Sequence, residues 1–136
     1  MLDPHGFVAT CNSTHFFIVR RGEIWTSTGQ YCIPGITRAN IIKITRANDI
    51  PVFEKSFSLY DVYGADEAFV TGTFAGVVPV REIDGRQLGH PLQGTHPSQG
   101  THPSQGKQEW GGAGPMVTRL RELYSAHAIA NSETLP

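Results

Sequence analysis

The sequence predicts an α+β fold built mostly of short strands with at least two flanking helices. Three observations carry that expectation: β-rich runs alternate along residues 7–27 and return between 52 and 83, two stretches place apolar residues at helical spacing, and Gly or Pro steps punctuate the boundaries. At 136 residues the chain suits one domain with its own core.

Taken in order, FVATC (7–11), HFFIVRR (15–21) and EIWTS (23–27) read as strands, because β-branched and aromatic residues dominate them. The Arg21-Gly22 step is short enough for a hairpin, so a meander is the simplest drawing. Beyond Pro34-Gly35, residues 36–47 lack Pro and Gly and space Ile41, Ile44 and Ala47 by threes with Ile42 beside them, which predicts a helix that Pro51 forces to have ended. VFEKSF (52–57) reads as a strand, SLYDVY (58–63) as a short helical turn capped by Ser58, and EAFVTGT (67–73) as a buried strand. GVVPVREID then runs to an Asp84-Gly85 turn, with Pro79 implying an edge or a bulge. Residues 89–113 are a low-complexity insertion, expected to be mobile, in which QGTHPS at 93–98 repeats at 99–104. Pro115 opens a final helix whose Val117, Leu120, Leu123, Tyr124 and His127 form one stripe to dock on the sheet, and the tail NSETLP is expected to fray.

Composition excludes several classes. A formal charge of −1 with 17% charged residues gives no basic excess for nucleic acid or an anionic membrane. The apolar runs, FFIV at 16–19 among them, fall far short of the roughly 20 residues that cross a bilayer. The N-terminus also lacks a leader pattern, so a soluble, cytoplasmic protein is expected. Cys11 and Cys32 form no CxxC and read as reduced, mostly buried residues. GTHPSQGKQ (100–108) imitates a phosphate loop but has five residues between its glycines and Gln108 where a hydroxyl is required. His90, His96 and His102 lack fixed geometry, so no metal is expected; His5, His15 and His127 read as packing or surface residues.

One repeat bears on function. ITRAN occurs at Ile36 and again at Ile44, and only the first copy follows Pro-Gly. That copy begins at a helix's first turn, where N–H groups lack intrahelical acceptors and the dipole is positive; the second begins two turns in, where they are bonded. Ile36 and Thr37 are thus placed to hold a phosphate, with Gly35 allowing close approach, although Pro-Gly is also ordinary helix punctuation. TGTFAG (71–76) ends an apolar strand with small residues and two hydroxyls, which can add to an anion nest or simply mark a tight corner.

In this order and spacing, GFVATCNSTHFFIV, IPGITRANII, YGADEAFVTGTFAGVVPVREIDGRQLG and GPMVTRL resemble the C-terminal half of the class IV aminotransferases, the pyridoxal-phosphate enzymes of the branched-chain and D-amino-acid type. The resemblance covers nearly all of residues 2–128 apart from the insertion. It implies a pseudo-barrel like the large C-terminal domain of fold type IV enzymes, with residues 1–136 as the cofactor-binding part of a longer homodimeric enzyme acting on amino acids and 2-oxo acids. It further implies that the amides of Ile36 and Thr37, with Thr73, hold the cofactor phosphate, and that the amides of Thr73 and Phe74 meet the substrate carboxylate. Two departures matter. The family's covalently linking lysine lies before the strand that starts here at Phe7, and Lys43, Lys55 and Lys107 match no such motif, so this chain alone is expected to be inactive. The family's VAEGxGxN pattern places a glutamate at the pyridine nitrogen where this chain has Thr10, a weaker partner for a protonated ring. Alternatives are a non-catalytic phosphate- or cofactor-binding module, a lyase of the aminodeoxychorismate type, and a purely structural domain that inherited the fold.

Overall fold

The structure, a computed structural model, describes residues 1–88 and 112–132. Most of the predicted insertion, with Lys107, His90, His96, His102 and the GTHPSQGKQ stretch, lies outside the described residues, as do residues 133–136 of the tail. In chain order the elements are β1 (His15–Arg20), β2 (Glu23–Thr26), α1 (Ile36–Ala47), β3 (Val52–Glu54), α2 (Leu59–Tyr63), β4 (Glu67–Gly72), β5 (Gly76–Pro79), β6 (Glu82–Ile83), β7 (Arg86–Gln87) and α3 (Pro115–Ser132).

Five strands form one sheet in the order β3-β2-β1-β4-β5, and β6 pairs with β7 apart from it. The β1–β2 connection is the expected hairpin: Arg21 (φ 52°) and Gly22 (φ 78°) both take the left-handed region, the two-residue turn that matches strand twist. Asp84 (φ 51°) and Gly85 (φ 75°) repeat the device between β6 and β7. β2 and β3 are parallel and α1 crosses between them, because strands that run the same way need a long connection. The sheet is open among the described residues, with β3 and β5 at its edges, and Pro79 sits in the edge strand β5 as its missing N–H requires.

β1 is central and buried on both faces, so its side chains alternate between two cores. Phe17 and Val19 join Ile24, Ile41, Ile42 and Phe69 under α1 and α3, where Val117 and Leu120 are fully buried. Phe17 stands opposite Phe69 across β1 and β4, and the rings stack with centroids 4.8 Å apart and planes 7° from parallel. Phe16 and Ile18 point the other way, to Val8, Phe57, Val62, Ala68 and Leu88.

Two expected strands differ. Residues 7–11 form a loop with one isolated bridge, Leu2 to Val8, instead of a meander strand, because Val8 N–H bonds Phe57 O and both Thr10 Oγ1 and Cys11 N–H turn onto Thr14 O. β3 stops at Glu54; one more bond, Lys55 N–H to Thr26 O, follows before Phe57 enters the second core. α2 begins with a reciprocal cap between Ser58 and Asp61, and the Ser58 N–H, helped by Arg20 at 2.6 Å, holds the Asp61 carboxyl below its usual range against the opposing effect of burial.

The three helices meet different fates at their N-termini. α3 is stoppered by Glu67 of β4, itself 3% exposed: Oε1 accepts from Met116 N–H at 3.0 Å and Oε2 from Val117 N–H at 2.9 Å. The α3 lead-in passes so close that a Cβ at Gly114 would fall 2.2 Å from Glu67 Cδ. α1 has neither a side-chain cap nor an acidic residue in its first turn.

Candidate functional site

The uncapped start of α1 opens onto a cleft of about 420 Å³ between that helix, the Thr10–His15 segment and the end of β4. Its walls include Thr10, Gly35, Ile36, Thr37 and Thr73, so five of the sequence-derived candidates come together although they lie on three separate stretches of chain. Phe74 is not on these walls: it sits in the β4–β5 turn with its ring fully exposed.

No charged side chain lines the cleft among the described residues; its polar groups are hydroxyls, amides, the Cys32 thiol and the His15 imidazole, and Met1, whose α-ammonium donates to Thr10 O at 2.7 Å, is also on its wall. The first-turn N–H groups of α1 contribute positive potential to it, and donors at a helix start favour an anion. The sheet side supplies a second sign of an absent partner. Thr71 is fully buried, its Oγ1 has no hydrogen-bond partner among the described residues, and it lines the same cleft. A hydroxyl shut away from water without a bond is destabilising by about 1–3 kcal/mol, which an incoming acceptor would relieve.

The two ITRAN copies diverge as their positions demand. Thr45 turns its hydroxyl onto Ile41 O at 2.7 Å inside the helix, whereas Thr37 stands at the cleft wall. The arginines instead act together: eight residues apart, hence on one helix face, Arg38 (3.0 Å) and Arg46 (3.1 Å) both bond Glu54. Arg38 also donates to Ser27 O at 2.7 Å, fixing α1 to the end of β2.

Thr10 Oγ1 donates to Thr14 O at 2.7 Å. Its single hydrogen is committed there, so only its lone pairs can serve a ligand. Neither described lysine candidate lines the cleft: Lys43 is exposed on α1, and Lys55 lies 3.6 Å from the centre of the Trp25 ring. Among the described residues no cluster of His, Cys, Asp or Glu could hold a metal ion. His15, read from the sequence as a packing or surface residue, is also on the wall; its register partner across β1 and β4 is Thr71, the first hydroxyl of the TGTFAG strand end, a juxtaposition no local pattern reveals.

Comparison with known proteins decides the lineage: the amino-transferase class IV family model matches residues 1–83. The chain belongs to the class IV aminotransferase family. It is 43% identical over 94 residues to the branched-chain-amino-acid aminotransferase of Pseudomonas aeruginosa, a match covering 69% of this chain and 31% of that protein. It is 38% identical over 88 residues to a D-alanine aminotransferase of Listeria monocytogenes, covering 64% of this chain and 30% of that protein. Among solved structures, the T.th. branched-chain amino acid aminotransferase complexed with N-(5'-phosphopyridoxyl)-L-glutamate superposes with a TM-score of 0.73 at 34% identity, over 92% of this chain and 35% of that one. The chain thus spans about a third of the length of these class IV aminotransferases.

Proposed function

We propose that this chain is the C-terminal, pyridoxal 5'-phosphate-binding part of an aminotransferase that moves an amino group between an amino acid and a 2-oxo acid. One observation carries the reading: an uncapped helix start and a buried hydroxyl without a partner among the described residues, that of Thr71, belong to the same cleft, and a phosphate group offers acceptors to both. In this reading the amides of Ile36 and Thr37 and the hydroxyl of Thr73 hold the phosphate, with Gly35 at the approach. Thr10 would serve the ring nitrogen, its lone pairs able to accept from a protonated nitrogen without adding negative charge. The amides of Thr73 and Phe74 take the substrate carboxylate; the exposed turn that carries them leaves those groups accessible.

When bound, the cofactor supplies an electron sink for breaking a bond at the substrate α-carbon. The work of these residues is to anchor and orient, since holding a dianion at a rigid helix start fixes what is attached to it. Neither Lys43 nor Lys55 lines the cleft, and in this reading the chain alone binds cofactor without completing transamination. The full-length enzyme is proposed to act as a cytoplasmic homodimer; no described helix is long and apolar enough to cross a membrane.

The test is an absorbance titration of the chain with pyridoxal 5'-phosphate, repeated with inorganic phosphate as competitor. Saturable binding that phosphate displaces is expected. Binding by neither ligand sinks the reading.

A further inference from the structure

Gly35 has extended backbone, φ −88° and ψ 131°, which any residue adopts, so conformation does not explain why position 35 lacks a side chain. The explanation is His15. A Cβ built at position 35 would lie 2.2 Å from His15 Cε1 and 2.8 Å from Nδ1, so the imidazole fills the space a side chain would need. The same ring is tied down at its other nitrogen: Nε2 lies 2.7 Å from Ile33 O, and because a carbonyl only accepts, Nε2 carries the hydrogen and donates it. His15 thus grips the Ile33–Gly35 lead-in on both sides of Pro34, by a polar bond before it and by close packing after it. Its own backbone is fixed, since His15 opens β1 and is paired with Thr71 of β4.

We propose that His15 is the positioning residue of the phosphate site, clamping the Ile33–Gly35 lead-in to the sheet so that the amides of Ile36 and Thr37 point into the cleft. A helix start is not by itself a site, but this one shares its cleft with the buried, unpartnered hydroxyl of Thr71, a separate sign that a ligand belongs there. The contribution is one of pre-organisation: the amides bind well only if their direction is set before the anion arrives. Gly35 is in turn explained as the residue that makes room for the clamp. The proposal rests on the reading of the cleft as a phosphate site.

The experiment measures the affinity of the full chain for inorganic phosphate, pyridoxal 5'-phosphate and pyridoxal, alongside the thermal melt of each ligand-free variant. His15→Ala is expected to lose about tenfold in affinity for the two phosphate-bearing ligands, roughly 1.4 kcal/mol, and to leave pyridoxal binding unchanged. Gly35→Ala should weaken phosphate binding similarly in the native background and cost nothing further in the His15→Ala background, where the space has been vacated. A His15→Ala protein that melts cooperatively and binds phosphate like the native chain overturns the proposal, as do additive losses in the double variant. Should His15→Ala fail to fold, Gly35→Ala alone decides: phosphate affinity lost with an unchanged melt supports the clamp, and unchanged affinity refutes it. If the native chain binds neither phosphate nor pyridoxal 5'-phosphate, the phosphate reading falls first and takes the clamp with it.

Discussion

Thr71 is the side chain whose energetics set stability against function most directly. Its hydroxyl is buried and without a partner among the described residues, so Thr71→Val removes an unfavourable group while nearly keeping the shape. The valine protein is expected to be about 1 kcal/mol more stable to urea than the native chain without ligand, and to bind pyridoxal 5'-phosphate more weakly. A valine protein that is less stable would mean that the hydroxyl already has a partner. Residues of this kind separate what the sequence discloses from what it hides. Ile36, Thr37 and Thr73 were legible because helix punctuation and a small-residue strand end have local signatures, and the family resemblance joined them. The Thr71 hydroxyl was legible only as part of that strand end, and His15 was not legible at all, because its role comes from pairing across β1 and β4 and from a contact between residues 15 and 35, neither of which leaves a local trace.

The elements differ in how their helix starts are completed, and this decides which of them are structural. α2 closes its own start with the Ser58–Asp61 box, and the sequence disclosed the Ser58 half of it. α3 borrows a carboxylate from β4, about 50 residues away in the chain, which the sequence could not disclose: in EAFVTGT, Glu67 reads only as an acid at the mouth of a buried strand. The α1 and α3 boundaries were readable from Pro and Gly and from apolar spacing, whereas residues 7–11 carried a strand composition that long-range bonds to Phe57 and Thr14 overrode. Because Glu67 satisfies two N–H groups from inside the core, Glu67→Ala should leave the start of α3 without acceptors and destabilise the fold by about 3 kcal/mol. Glu67→Gln keeps one carbonyl acceptor and should lose less. Hydrogen exchange resolves the mechanism: α3 amides should lose protection before those of β1 in the alanine protein, and uniform loss across both would show that Glu67 does not act through this helix.

For the molecule as a whole, the described surface is that of a protein awaiting cover. Ile36 (80% exposed), Ile33 (77%) and Phe74 (104%) present large apolar side chains around the α1 start and the β4–β5 turn. Both edges of the five-stranded sheet are unpaired among the described residues, and only β5 carries a proline to discourage pairing. A formal charge of −1 on 136 residues offers little repulsion to keep copies apart. Exposed apolar patches and open edges with weak net charge favour association. The isolated chain is therefore expected to self-associate as its concentration rises, with the apparent mass in sedimentation velocity falling over a roughly tenfold dilution series. Ile36→Lys combined with Phe74→Lys should shift that dependence to higher concentration by adding charge at the two most exposed apolar positions flanking the cleft. A sharp, concentration-independent monomer boundary for the native chain would show that these side chains are covered within a single copy.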